Sequence, residues 1–473
     1  MDRSIENLIH PVQEPMQYQP SEYCNTPKTL ARNLPGMVSV NMRELFPSLP
    51  VACYEKDGDD LSVIAEKTRE ALQNVDMSDI TPETSVNIVC SEHGFCLCGG
   101  KPYLQMVKTL RDVVLERTGC IDLRLRVVMW RTPRECLEAI DYYNLNEEFD
   151  NNVGYSWAYD KAVAIETRIG TMYGLEKVYD ADKIILAYYD DPREVYCHRM
   201  YRKSFKAFTM NMARFETRSM YHQSIGKAHG TTGNLSSIVP TSIYESDFVQ
   251  SKWTFGCFLT SSPAGIDGVY AGNDLYEIDD HNDARVLKYF SYPLQLYRSL
   301  DNVNAIVEGG RWHFYIHGGG LISGVMLNCN KDWLDLDDVY PAKGLPVVPG
   351  LRSYIINQAW YGITLPYGSM LPTILVGDEL TENITKKDIM SKYFSMMPMS
   401  KSVKTLQEAI EYTTEVSHGA GYLIFDGSFG FVNCSRSIAE EMIQKAPAVM
   451  EKVDNELYPK YMKQRGLEIP SLN

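Results

Sequence analysis

Residues 91–101, SEHGFCLCGGK, put a carboxylate (Glu92), an imidazole (His93), two thiols (Cys96 and Cys98), a glycine pair (Gly99 and Gly100) and an ammonium (Lys101) directly behind the apolar positions Val86, Ile88 and Val89. A structural zinc site would need a second cysteine pair, and thiols two residues apart on one short loop would make a strained disulfide. Two glycines before a lysine, where a strand gives way to a helix, fit a backbone cradle for a phosphate or a substrate anion at a helix amino terminus. Gly99, Gly100 and Lys101 are therefore candidate ligand-binding residues.

Other segments carry reactive side chains at comparable places. MWRTP holds Arg131, and PREVYCHRMYRKSFK holds His198, Lys203 and Lys206. SMYHQ presents His222, and RWHFYIHGGG would line up His313, Tyr315 and His317 on one face of a strand, with Trp312, Phe314 and Ile316 on the other. Imidazole titrates near neutrality and suits acid–base work or metal binding. The plain alternatives are a polar sheet face for His313 and His317, a helix-end hydrogen bond for His222, and solvated surface for one of the two lysines.

The elements that must position these groups alternate. LSVIAEKTREALQNV has helical spacing, SVNIVCSE follows as a β-rich run, YLQMVKTLRDVVLERTG is an amphipathic helix ending near Gly119, and DLRLRVVMW alternates as a strand. TPRECLEAI offers Thr132 as an N-cap, Pro133 in the first turn and Glu135 closing a capping box. ADKIILAYYDD reads as a third strand. GCFLTSSPAGIDGVYAGN reads as two strands around Gly265–Gly268, with DARVLKYF helical after them, and SVKTLQEAIEYTTEVSHGAGYLIFDGSFGFVN is a capped helix, a glycine turn and a strand. Strand–helix alternation predicts parallel strands with crossover helices, whose ligands bind outside the strands' carboxyl ends.

The chain has 473 residues, 44% of them hydrophobic, which is too long for one core. Prolines 11, 15, 20, 27, 35, 47 and 50 make residues 1–50 an extended arm. We expect an α/β protein of two domains with mainly parallel sheets flanked by helices and a cleft between them. Residues 51–296 plus 420–473 would form the first domain and 297–419 the second, the carboxyl-terminal strand GYLIFDG returning to the first. A net charge of −15 opposes nucleic-acid binding, no run is long and apolar enough to span a bilayer, and scattered cysteines point to a reducing, cytoplasmic setting.

These segments, in this order over roughly residues 85–433, resemble the nickel-dependent lactate racemase superfamily. SEHGFC is similar to its SDHTRP loop, MWRTP to GFHRP, MYRKS (200–204) to GGRKS, and MYHQSIGKAHGTTGNL to its ANH…RTGNL stretch. IDGVYAGN and the closing KTLQEAIEYTTEVSHGAGYLIFDGSFGFV have counterparts too. The resemblance implies racemisation or epimerisation of a 2-hydroxy acid, by removal of the hydroxyl proton and hydride transfer to a nickel-pincer pyridinium nucleotide. It assigns nickel to His222, the cofactor-bearing amine to Lys203 or Lys206, and an acidic position to Glu92.

Departures are equally specific. Trp130, beside Arg131, stands where the family has a histidine, and Phe95 where it has an arginine. Arg193 falls at the other catalytic histidine, with His198 five residues on, and HGGGLISG lacks the family's glutamine and lysine. His198, or His313 and His317 from the second domain, would have to supply the missing base, with Arg131 as the nearby cation. Phe95 and Trp130 would suit a hydroxy acid larger than lactate. Two further readings stay open: a metal-independent isomerase, lyase or oxidoreductase needing no cofactor, and a non-catalytic ligand- or cofactor-binding protein.

Overall fold

The structure is a computed structural model that describes residues 5–17, 20–91, 94–95, 99–129, 132–190, 202–227, 233–308, 332, 334–337, 348–359, 371–386, 394–396 and 399–470. Two sheets organise it, with helices against them. Among the described residues, sixteen strands run in chain order: β1 (Ile9–His10), β2 (Met37–Asn41), β3 (Val86–Ser91), β4 (Leu123–Met129), β5 (Val153–Trp157), β6 (Ala162–Thr167), β7 (Gly170–Leu175), β8 (Lys183–Tyr189), β9 (Trp253–Ser262), β10 (Gly265–Gly272), β11 (Val303–Val307), β12 (Leu351–Ile356), β13 (Thr373–Val376), β14 (Lys401–Val403), β15 (Gly421–Phe425) and β16 (Phe431–Ser435).

The first sheet has the order β10-β9-β8-β3-β4-β5, parallel throughout except for β10. Its inner strands are apolar enough to be covered on both faces: every residue of β3 and of β9 is buried. The helix Lys101–Thr118 crosses from β3 to β4, with Pro102 in its first turn. It stops at Gly119, whose φ of 71° lets its N–H turn back onto the Leu115 carbonyl. The expected helix after MWRTP begins at Pro133 as anticipated, but Thr132 makes no side-chain cap. β6 and β7 form a separate hairpin.

The second sheet has the order β1-β2-β16-β15-β11-β12-β13-β14. Strands β15, β11, β12, β13 and β14 are parallel, and β16, β2 and β1 complete it antiparallel. The α/β class with two mainly parallel, helix-flanked sheets is thus what forms, and two of its parts are specified further. First, GYLIFDG does not return to the first sheet: β15 pairs in parallel register with β11, because its Tyr422, Leu423, Ile424 and Phe425 are all buried and need apolar cover on both faces. Only the following turn reaches the first domain, where Phe429 joins the core holding Val86, Ile88 and Phe95. Second, the amino-terminal arm lies in part against the second sheet. β1 and β2 extend the second sheet, and Val40, Met42, Leu45 and Phe46 share its core with the helix Arg436–Lys452.

Candidate functional site

In the first sheet the chain starts at β3, adds β4 and β5 on one side, then reverses to add β8 and β9 on the other. The carboxyl ends of β3 and β8 therefore flank the reversal, where open α/β sheets form their ligand crevice. A single amide ties this edge together. Asn211 donates through Nδ2 to Ser91 Oγ on β3 (3.0 Å) and to the Val128 carbonyl on β4 (3.4 Å), and accepts from the Tyr188 hydroxyl on β8 (3.1 Å).

Asp190, the first residue beyond β8, bonds through its N–H to the Leu259 carbonyl on β9 (2.9 Å), which aims its side chain along the edge. There it pairs with Lys203, the first residue of a 3-10 helix Lys203–Thr209 entered through Arg202 in a left-handed conformation (φ 68°). The helix Leu275–Tyr289 brings two more carboxylates one turn apart. Asp283 Oδ1 lies 3.9 Å from Lys203 Nζ, and Asp279 accepts the Ser204 N–H at 2.7 Å and lies 3.5 Å from Arg202 Nη1. Lys203, Asp190 and Asp283 have side-chain exposures of 3%, 1% and 1%, so their charges interact with little help from solvent.

Burial alone would strip Lys203 of its proton, but Asp190, Asp283 and Asp279 together outweigh it and hold the amine above its ordinary pKa, as an ammonium. Lys203, with Arg202 beside Asp279, faces three carboxylates. Burial, then repulsion from Asp279, pushes the Asp283 carboxyl well above the usual carboxylate range, against the charges of Lys203 and Arg465. Sequence reasoning found Lys203 but missed Asp190, Asp279 and Asp283. The available signal was the four-residue spacing of the last two, which also describes any solvated helix face.

The glycine loop differs from expectation. The N–H groups of Gly99 and Gly100 both bond to the Gly94 carbonyl (3.3 and 3.0 Å), so neither is turned to an anion. A Cβ at Gly99 would sit 2.6 Å from Tyr103 Cβ and 2.9 Å from Leu259 Cδ2, so this glycine is there for close packing. Lys101 is half-exposed and faces Asp57 at 3.3 Å. Phe95, expected at the rim, is fully buried, edge-on to Tyr103, with its carbonyl accepting the Tyr143 hydroxyl at 2.6 Å. Lys206, like Lys203, is buried, so neither lysine is the solvated one of the pair. His222 lies on the helix Phe215–Lys227, its side chain outside the described residues. Glu92, His93, Cys96, Cys98, Trp130, Arg131, Arg193, His198, His313, Tyr315 and His317 also lie outside them.

A nickel-pincer nucleotide would ask three things of this edge: N–H groups for its phosphate, a nucleophilic amine and a metal-binding imidazole. The glycine N–H groups are engaged within the loop and Lys203 is held as an ammonium on Asp190, so neither fits its part, which leaves the buried Lys206 as the candidate amine. Among the described residues no cluster of His, Cys, Asp or Glu has the arrangement of a metal site. No protein-family model and no curated protein matches the sequence.

Proposed function

We propose that this chain is a cytoplasmic small-molecule enzyme, a racemase or epimerase of a 2-hydroxy acid, with its reaction centre at the carboxyl edge between β3 and β8. What supports the reading is the adjacency of β3, β4 and β8, all parallel. The ends of β3, β4 and β8, at Ser91, Met129 and Tyr189, lie along this one edge near Lys203, and Glu92, Arg131 and His198 follow them in sequence, outside the described residues. The case for a substrate larger than lactate now stands on Trp130 alone, because Phe95 belongs to the core.

A metal-independent reaction is the second reading, and the Lys203–Asp190 pair favours it over covalent attachment of a nucleotide. One experiment separates the two. The protein is purified with and without co-expressed pincer-nucleotide biosynthesis, and nickel per chain and intact mass are measured. Nickel with a mass adduct mapped to Lys203 or Lys206, lost in His222→Ala, establishes the cofactor form; unmodified mass without nickel in both preparations removes it. Racemisation of hydroxy acids is then assayed directly, and His198→Ala should lower turnover by on the order of 100-fold if it is the general base. Full turnover in His198→Ala and in the double His313→Ala, His317→Ala variant would refute the proton-transfer mechanism.

A further inference from the structure

The helix Leu275–Tyr289 has a second working face. Asp279 and Asp283 turn toward Lys203, whereas His281 and Arg285, also one turn apart, line a separate cavity of about 670 Å³. Its other walls are the edge strand β10, the helix Ser62–Leu72 and the arm residues Arg43 and Ser48–Val51. The strand register slips between Ile266 and Gly268, so Asp267 is the extra residue of a β-bulge, a device that re-aims one side chain. The bulge points Asp267 at Arg285.

Both oxygens of Asp267 are engaged, one by the Thr260 hydroxyl (2.8 Å) and one by Arg285 Nη2. This fixes one end of a guanidinium that also lies over the Tyr289 ring, 5.3 Å from its centroid. The Arg285 side chain is only 11% exposed, yet its Nε has no hydrogen-bond partner among the described residues. An arginine serving only as an ion-pair partner has no need of more cations beside it. Here Lys67 makes no ion pair among the described residues, and Arg43 reaches only the Leu49 carbonyl, at 3.4 Å. Glu70 is the one other carboxylate in the lining. His281 stacks on Tyr270 with centroids 3.7 Å apart and adds a neutral ring, since burial drives its pKa down to about 4.

We propose that this cavity binds the oxyanion of a small organic acid or phosphate ester, with Arg285 as the buried contact and Lys67 and Arg43 closing over it. It lies on the other face of the helix from the β3–β8 edge, whose Asp190 also acts on Arg285 through its charge, and does not rest on the function proposed for that edge. In a chain of net charge −15 a local surplus of cations of this kind is selective for one anion rather than a general attractor.

The test is calorimetric titration of the full-length protein with two probes, inorganic phosphate and malonate, in wild type, Lys67→Glu and Arg285→Lys. Saturable binding of at least one probe, weakened tenfold or more in Lys67→Glu, supports the site, and the tighter probe tells phosphate from carboxylate. Lys67→Glu keeps the result interpretable should Arg285→Lys fail to fold, because Lys67 lies on a half-buried helix face. Absence of saturable binding by both probes, or equal affinity in wild type and Lys67→Glu, overturns the proposal.

Discussion

At the carboxyl edge of the first sheet, between β3 and β8, the chain buries an ammonium among carboxylates. At the same place in the second sheet, between β11 and β15, it buries carboxylates among amides and lays its own arm across them. Glu308 and Asp426 are the residues immediately after β11 and β15. Glu308 Oε1 accepts the Ala31 N–H (2.6 Å) and the Asn357 amide, while Asn357 also donates to the Thr29 carbonyl (2.8 Å). Asn25 brackets the end of β12, giving to the Asn357 carbonyl and accepting from the Ala359 N–H. Asp426 takes bonds from Ser428 and Asn433. The second edge is closed by neutral donors from within the chain. At the first, Asp190 Oδ2, Asp279 Oδ2 and Asp283 Oδ1 have no hydrogen-bond partner among the described residues. Like topology has produced one edge that satisfies itself and one that keeps unspent polar capacity, and the latter is where chemistry is to be sought.

Breaking the ionic edge should have the largest effect. Lys203→Ala leaves buried carboxylates without their cation, and loss of one partner from such a group destabilises by about 3–5 kcal/mol. Urea denaturation of Lys203→Ala should show this, whereas Lys203→Ala combined with Asp190→Asn should recover part of it. A change below about 1 kcal/mol in the single variant would mean the ionic edge does not contribute to the fold.

The second edge should reveal itself through pH. Burial, then the charge of Asp426, pushes the Glu308 carboxyl up to about 7, against opposing hydrogen bonds from Asn357 and Ala31 and the more distant Arg32. A raised carboxyl pKa makes the folded state bind the extra proton. Its contribution is complete below the unfolded value near 4.5, shrinks as pH rises, and is gone above about 7. The span corresponds to about 3 kcal/mol. Glu308→Gln imitates the protonated form, so its stability relative to wild type should climb by roughly that amount between pH 5 and pH 8; a flat difference would show that Glu308 is ionised throughout.

The contrast between the two edges also marks what the sequence makes legible. Local pattern was enough for β3, β4 and β8, each an apolar run ahead of a polar loop, and for the helix Leu406–Val416, whose Thr405 caps the Glu408 N–H as the KTLQE pattern implies. Partnership over long separations was not. Nothing in Asn25 or Ala31 announces a bond to a strand end more than 270 residues away, as between Ala31 and Glu308. Phe95 looked like a rim residue because the resemblance in sequence sets it at the place of a substrate-binding arginine, yet Tyr103 and Tyr143 enclose it. Lys203 was found through a resemblance in sequence, while its three carboxylates come from positions 190, 279 and 283, which only folding brings together.

The glycine loop offers a sharper, smaller test of whether the first edge is built for packing or for anions at this point. Gly99→Ala should destabilise by about 1–3 kcal/mol through the contact with Tyr103 and Leu259, the usual scale for overpacking a tight interior. A thermal melt indistinguishable from wild type would mean the loop can move away from Tyr103.

The smallest effect is expected at Lys101, and it separates the two meanings of GGK most cleanly. Its ammonium is 3.3 Å from Asp57 with side chains 50% and 32% exposed, so solvent screens the pair and Lys101→Ala should alter stability by less than about 1 kcal/mol. A lysine at the mouth of a phosphate cradle would behave otherwise: its removal would leave the fold alone and weaken binding of an anionic substrate. Because the Gly99 and Gly100 N–H groups are already held by Gly94, there is no cradle for Lys101 to complete. The Michaelis constant for the proposed hydroxy-acid substrate should therefore stay within about twofold of wild type in Lys101→Ala, since one exposed, screened charge changes little beyond its own contact. A tenfold rise with unchanged stability would restore the loop to the binding site and move the boundary between the packed and reactive parts of this edge.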